Sequence, residues 1–264
     1  MKKYFQVIKS TLDEVATYRF NFAMWRFRNV LQLLTIYYLW FLVTPAKGQL
    51  FGYSQSLILT YVLGAAFLSS IILATRTHEI GENINNGDLS NFLVKPFNYF
   101  GYWFARDIGD KLSNIGFAIV ELVLFYLILK PMLFLQKDPT IFLLFFFSIC
   151  LAVFLNFFIG SLLGMVGFWS PDVWAPRFIF FVLIGFFAGG TFPLDIFPQF
   201  LQNIFQFLPF TYFLYFPLKI YLGTLSQQQI IYGFVIASIW TIVLFVVTQV
   251  VWKKGIRLYS AQGK

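Results

Sequence analysis

Few residues in this chain can do chemistry, and their types and spacing narrow what that chemistry is. His78 is the single histidine and Cys150 the single cysteine among 264 residues. A protease-type zinc helix needs two histidines one turn apart, so that both imidazoles face one metal. The segment His78-Glu79-Ile80-Gly81-Glu82 supplies only one. A Ser-His triad would draw on the same residue. Cys150, inside an apolar run, has no partner for an internal disulfide and reads as a small buried hydrophobe. A phosphate-cradling loop requires Gly-Lys-Ser or Gly-Lys-Thr, and neither occurs. No catalytic, metal or cofactor site is therefore expected in this chain, and any ATP it depends on must be hydrolysed by a separate subunit.

Glu121 stands where an acid is costly, deep within an apolar run. A charge at the centre of a bilayer costs about 2.5–3.5 kcal/mol on insertion scales. Two readings stay open: a group on a substrate or proton path, or a protonated or hydrogen-bonded packing residue. Gly160 and Gly164 are four residues apart, as are Gly185 and Gly189. That spacing lets helix backbones approach closely, within one subunit or between two.

The elements that must position these residues are membrane helices. Hydrophobic residues make up 59% of the chain and charged residues 11%, against about 45–50% and about 25% in a soluble domain. A soluble fold must cover its surface with polar groups, and this chain lacks them. Crossing about 30 Å of hydrocarbon takes about 20 helical residues. Apolar runs of that kind fall at about 23–43, 56–75, 113–135, 141–168, 177–192 and 229–252. The runs are apolar on all sides, without the every-second-residue alternation of a membrane β-barrel. The fold class expected is all-α and polytopic, with six spans. Residues 1–22 read as an amphipathic interfacial helix, because Phe5, Ile8, Leu12, Val15 and Phe22 recur at helical spacing. The first residues show no cleavable signal. The stretch 193–217 is apolar but holds Pro193, Pro198, Pro209 and Pro217. Each proline removes a backbone donor, so two short helical pieces, re-entrant or interfacial, are expected rather than a seventh span.

Charge orients the bundle. With the N-terminus cytoplasmic and six spans, all of the 19 Lys and Arg residues except Lys47, Lys130, Lys137 and Lys219 fall on the cytoplasmic side, as the positive-inside rule requires. A seventh span would carry Lys253, Lys254, Arg257 and Lys264 outside. The net charge of +8 is thus explained by topology and anionic membrane lipid. Nucleic-acid binding is not expected, since the basic residues occupy short links rather than one solvated face. The largest cytoplasmic insertion, about 76–112, is where a soluble partner would meet the chain.

Four stretches now carry a resemblance. They are the amphipathic helix leading into the first span and the run Ile84-Asn85-Asn86-Gly87-Asp88-Leu89-Ser90-Asn91-Phe92-Leu93-Val94-Lys95-Pro96. The others are Phe192-Pro193-Leu194-Asp195-Ile196-Phe197-Pro198 on to Tyr221-Leu222-Gly223, and the tail Trp252 to Gly263. In this order and at these spacings the chain resembles the permease subunits of ABC-2-type transporters, specifically a six-span bacterial export family. The resemblance implies a non-enzymatic permease in the bacterial inner (plasma) membrane with both termini cytoplasmic. It implies a homodimer or a heterodimer with a related permease, and a cytoplasmic ABC ATPase that binds the ATP and Mg. It also implies a coupling helix after span two, with Glu79, Glu82, Asn83, Asp88 and Leu89 as contacts. The proline-broken segment would line an outer mouth, where Asp195 and its phenylalanine neighbours could gate the exit. Replacing Asp195 with Ala is expected to impair transport and leave assembly intact. The substrate expected is amphiphilic. The alternative is a stand-alone ion-coupled carrier or a lipid-modifying enzyme, for which only Glu121 and His78 are on offer.

Overall fold

The computed structural model describes residues 2–259, which form eleven α-helices and no β-strand among the described residues. The part of the tail from Ser260 onward lies outside the described residues. The first helix, α1 (Lys2–Thr17), is amphipathic as read, but it ends at Thr17 rather than at residue 22. The chain breaks at Tyr18 and restarts as α2 (Arg19–Val43). Helix α3 (Gln55–Leu68) begins at an N-cap, where the Ser54 hydroxyl accepts from the Leu57 amide. It widens at its far end into a π-helical turn, Ser69–Leu73.

Two short helices follow, α4 (Glu79–Asn85) and α5 (Leu89–Leu93). Helix α6 (Tyr99–Leu129) starts at Asn98, whose side chain accepts from Gly101 N. The third apolar run, 113–135, is therefore corrected at both ends. Its helix begins 14 residues earlier and stops at Leu129. Lys130 turns left-handed (φ 44°), and the α region is disfavoured for a residue preceding a proline, here Pro131. Helix α7 (Pro139–Met165) has proline in its first turn and Asp138 as N-cap. Helix α8 is Trp174–Phe187. The proline-rich stretch holds α9 (Gln199–Phe205) and α10 (Tyr215–Tyr221), joined by a short 3₁₀ turn, Pro209–Tyr212. Helix α11 (Gln227–Leu258) opens with a reciprocal Ser226–Gln229 capping box.

Helix α3 with its π turn, α6, α7 and α11 are each long and apolar enough to cross a membrane. Helix α2 matches them in length but carries Arg26, Arg28, Asn29 and Gln32. Helix α8 is apolar but has only 14 residues, about 21 Å of rise. The segment after it packs among α3, α7, α8 and α11, and Tyr212, Phe213, Leu214 and Phe216 of that segment belong to the main core. The backbone from Pro209 to Tyr221 is thereby enclosed by protein, the condition under which such backbone survives at membrane depth, whereas Phe200, Ile204 and Phe207 in and after α9 are exposed.

A second core lies at the other end of the bundle, built on Ile80, Ile84, Leu89, Trp103, Phe157 and Phe168. Both described ends of the chain meet this region. Helix α1 packs along the first half of α6, with Lys3 donating to the Pro96 carbonyl. The Tyr259 hydroxyl donates to Gly87 O after α11.

Two basic residues assigned to cytoplasmic connectors lie instead inside the packed protein. Arg26 is 4% exposed and Lys111 3%. Lys111 is paired with Asp107 at 3.1 Å and donates to the carbonyls of Ile72 and Ala74. Those carbonyls lie where α3 opens out, and a helix end must find partners for its last carbonyls. Asn156 completes the job by donating to Ile72 O at 2.7 Å.

Candidate functional site

A cavity of about 340 Å³ opens between α2, the π turn of α3, and α8, with Glu121 of α6 and Asn156 and Gly160 of α7 in its wall. Toward the starts of α2 and α8 its lining is polar: Arg28, Asn29, Gln32, Thr75 and Arg177. Toward the other end it is apolar, with Ile36, Val62, Phe180, Ile184 and Leu214. Arg28 and Gln32 are one turn apart on α2, both exposed in the single chain, and Gln32 stands near the helix midpoint. Polar side chains at that depth face a cavity or a protein partner, since lipid would not solvate them. Sequence reading missed this set. The signal was present in the Arg28-x-x-x-Gln32 spacing inside an otherwise apolar run.

Glu121 is not alone. Arg26 Nε donates to its carboxylate at 2.6 Å, and a second guanidinium nitrogen bonds the other oxygen. Arg26 also reaches Ser70 Oγ at 3.2 Å and Asn114 Oδ1 at 3.3 Å. The bidentate pair ties α2 to α6 next to the cavity, and Ser70 brings in the π turn. Glu121 is thus hydrogen-bonded within the protein and also lines the cavity, so both readings of it keep a structural basis.

The turn between α3 and α6 is held from several sides. Thr77 and Ile80 sit on Gly160 and Gly164 of α7. A Cβ at Gly160 would lie 2.2 Å from Thr77 Oγ1, and one at Gly164 would lie 2.8 Å from Ile80 Cβ. These two glycines admit the turn and the start of α4, not another membrane helix. Gly185 and Gly189 do not form a helix face, which corrects the reading from their spacing. Gly185 has open space around it. Gly189 lies one residue past the C-cap of α8, left-handed at φ 79°, where it accepts from the Tyr61 hydroxyl at 2.7 Å.

An ion-pair network fastens the same turn. Arg76 donates to Asp110 at 3.0 Å, Glu14 at 3.0 Å and Glu79 at 3.1 Å. Arg106 donates to Glu14 at 2.6 Å and lies 3.4 Å from Glu79. Burial alone would lower the Arg76 guanidinium, but the Asp110, Glu79 and Glu14 carboxylates outweigh it and raise it. Of the five residues proposed as partner contacts, Glu79 is thus spent inside the protein. Leu89 is 0% exposed in the second core, so it packs the turn and presents nothing outward. Asn83 bonds back to Glu79 O at 2.9 Å. Glu82 and Asp88 are exposed. The hydropathy pattern could not separate these five, because burial here is set by α6 and α7.

At the opposite end Asp195 is held closely. Its carboxylate accepts from Tyr53 Oη at 2.9 Å on both oxygens and from Lys219 Nζ at 2.9 Å. Lys219 also donates to the Tyr53 oxygen at 3.1 Å. Burial first, then the Asp195 carboxylate, holds the Tyr53 phenol protonated far above its usual range. For Asp195→Ala this geometry sets a different expectation from an intact assembly. The substitution strands the buried Lys219 ammonium, and breaking a buried pair is strongly destabilising.

Four helices long and apolar enough to cross a membrane, with a cavity between helices, define a polytopic α-helical membrane protein. The chain belongs to the ABC-2 transporter family: the model described as "ABC-2 family transporter protein" matches residues 30–263. No curated protein matches it. As a member it is a multi-pass permease component of an ABC transporter, a transport rather than a catalytic subunit, and membership implies association with an ABC ATPase.

Proposed function

We propose that this chain is one half of the membrane path of an exporter of amphiphilic substrates, driven by a cytoplasmic ATPase that carries the ATP and Mg. In this reading two permeases, identical or related, sit side by side in a bacterial inner membrane. Each crosses six times, with α2 and α8 supplying the first and fifth spans and both termini cytoplasmic. The cavity between α2 and α8 is the substrate path. The turn of α4 and α5 is the lever on which the ATPase acts.

The observation that carries the reading is the close packing of that turn. Its inner face, Ile80, Ile84 and Leu89, is fused into the second core. Thr77 and Ile80 rest directly on the glycines of α7, and Gly160 also lines the cavity. Its outer face presents Glu82, Asn86 and Asp88. A push on the exposed tip is therefore delivered to a cavity helix without a flexible joint to absorb it, which is what mechanical coupling requires.

The test is co-purification of the tagged permease with an ATPase that carries a phosphate-binding loop, followed by ATP turnover in proteoliposomes. Replacing Glu82 and Asp88 together with Ala is expected to abolish co-purification while the permease alone keeps its melting temperature. Undiminished co-purification by that double variant would remove the lever from this turn. A permease that transports with no ATPase present would favour the ion-coupled carrier instead.

A further inference from the structure

The cavity between α2 and α8 carries an unbalanced charge. Glu121 is the one acid in its lining, and that carboxylate is already bonded to Arg26. Arg28 and Arg177 line the same cavity, and neither has a carboxylate within 4 Å among the described residues. Glu82 acts on Arg177 only from farther off. Arg28 has the ring of Trp25 at 5.7 Å and the Asn29 side chain at 3.5 Å. Two guanidinium groups thus stand at the polar end of a cavity whose other end is apolar.

We propose that the cavity binds a single-chain anionic amphiphile. Its phosphate-type or carboxylate headgroup is held by Arg28 and Arg177, and its chain lies toward Ile36, Ile184 and Leu214. The inference rests on reading this cavity as the substrate path and adds the charge of the substrate. The planar fork of a guanidinium matches an oxyanion with two parallel hydrogen bonds, and such charge-assisted bonds are the strong ones. An ammonium headgroup would meet two like charges with no free carboxylate to offset them. A volume of about 340 Å³ sits at the small end of ligand cavities, roughly 300–1,000 Å³, which favours one chain over two.

Binding is measured on the full chain in zwitterionic nanodiscs, through quenching of tryptophan fluorescence by bromoundecyl phosphate. Trp25 lines the cavity, so Trp25→Phe should remove part of the quenching. Bromoundecanol, bromoundecyl-trimethylammonium and inorganic phosphate are the comparisons. The phosphate ester should bind about tenfold tighter than the alcohol, a gap of about 1.4 kcal/mol, and the ammonium probe more weakly than either. Arg28→Gln and Arg177→Gln should each narrow the gap severalfold and leave the alcohol unchanged. Should a Gln variant fail to fold, Arg28→Lys and Arg177→Lys keep the charge but lose the fork, and should retain part of the gap. Equal binding of the alcohol or ammonium probe, or a full preference surviving in the double Gln variant, overturns the proposal. Inorganic phosphate displacing the ester at equal concentration overturns the amphiphile assignment. Because this is read on the permease alone, its failure is distinct from failure to capture an ATPase.

Discussion

Two polar clusters fasten irregular chain to opposite ends of the bundle, and they are built on different principles. The network on the α4 side spreads its charge, with Arg76 and Arg106 sharing Glu14, Glu79 and Asp110 across α1, the turn and α6. The cluster on the Asp195 side is a single pair, Asp195 with Lys219, steadied by Tyr53. The first has one more exposed member, Glu14 at 35%, and the second joins a buried lysine, Lys219 at 8%, to a part-exposed Asp195 at 25%. A distributed network degrades gradually when one member is lost. A lone pair has two states, made or broken. Under the proposed reading the first would serve as a strut and the second as a latch.

The largest expected effect tests the latch. Asp195→Ala leaves a buried ammonium without a counter-ion and should cost about 3–5 kcal/mol, read as a lowered melting temperature of the purified protein. Asp195→Leu combined with Lys219→Met should recover most of that loss, because no charge is then stranded. A double variant as unstable as the single one would mean that Asp195 contributes packing rather than pairing.

Arg26→Gln should rank next. It strands Glu121 at membrane depth, and protonation of the carboxyl caps the damage at about 2–4 kcal/mol. Glu121→Gln in the same chain should restore stability. Helix α2 joining α6 loosely in both variants, seen as increased crosslinking-distance spread between them, would show instead that the pair specifies position.

Arg76→Gln should cost less, about 1–3 kcal/mol, as lost charge-assisted hydrogen bonds. Arg106→Gln should cost less again, since Arg76 keeps contact with both Glu14 and Glu79. Raising salt from 0.1 to 1 M should weaken the Glu14 contacts most, because screening acts mainly on exposed charges and Glu14 is the most exposed member of either cluster. If Arg76→Gln proved costlier than Asp195→Ala, the contrast between strut and latch would be reversed. The smallest stability effect belongs to Glu82→Gln, within about 0.5 kcal/mol, with any consequence confined to coupling with the ATPase.

The long helices were legible because their signal is local. Twenty apolar residues in a row need only a hydrocarbon solvent to declare them, whereas the exact starts, set by the caps at Ser226, Asp138 and Asn98, were not read from the apolar runs. The end of α6 was misread because Met132 to Leu135 are as apolar as the helix before them. Only the backbone restriction before Pro131 reveals the break. Arg26 was counted as a connector charge for the same reason: its position near an apolar boundary says nothing of the carboxylate 95 residues away that neutralises it.

Composition, run length and charge asymmetry alone determined that this is an all-helical, polytopic membrane protein. This follows from transfer free energies, which each residue carries with it. Which acids are spent and which are free was decided only by the tertiary structure. Glu79 and Glu82 are three residues apart on one short helix, yet one is tied into a five-member ion network and the other faces outward. That difference depends on what α1, α6 and α7 bring alongside, and pairing energy belongs to neighbours in space rather than to neighbours in sequence.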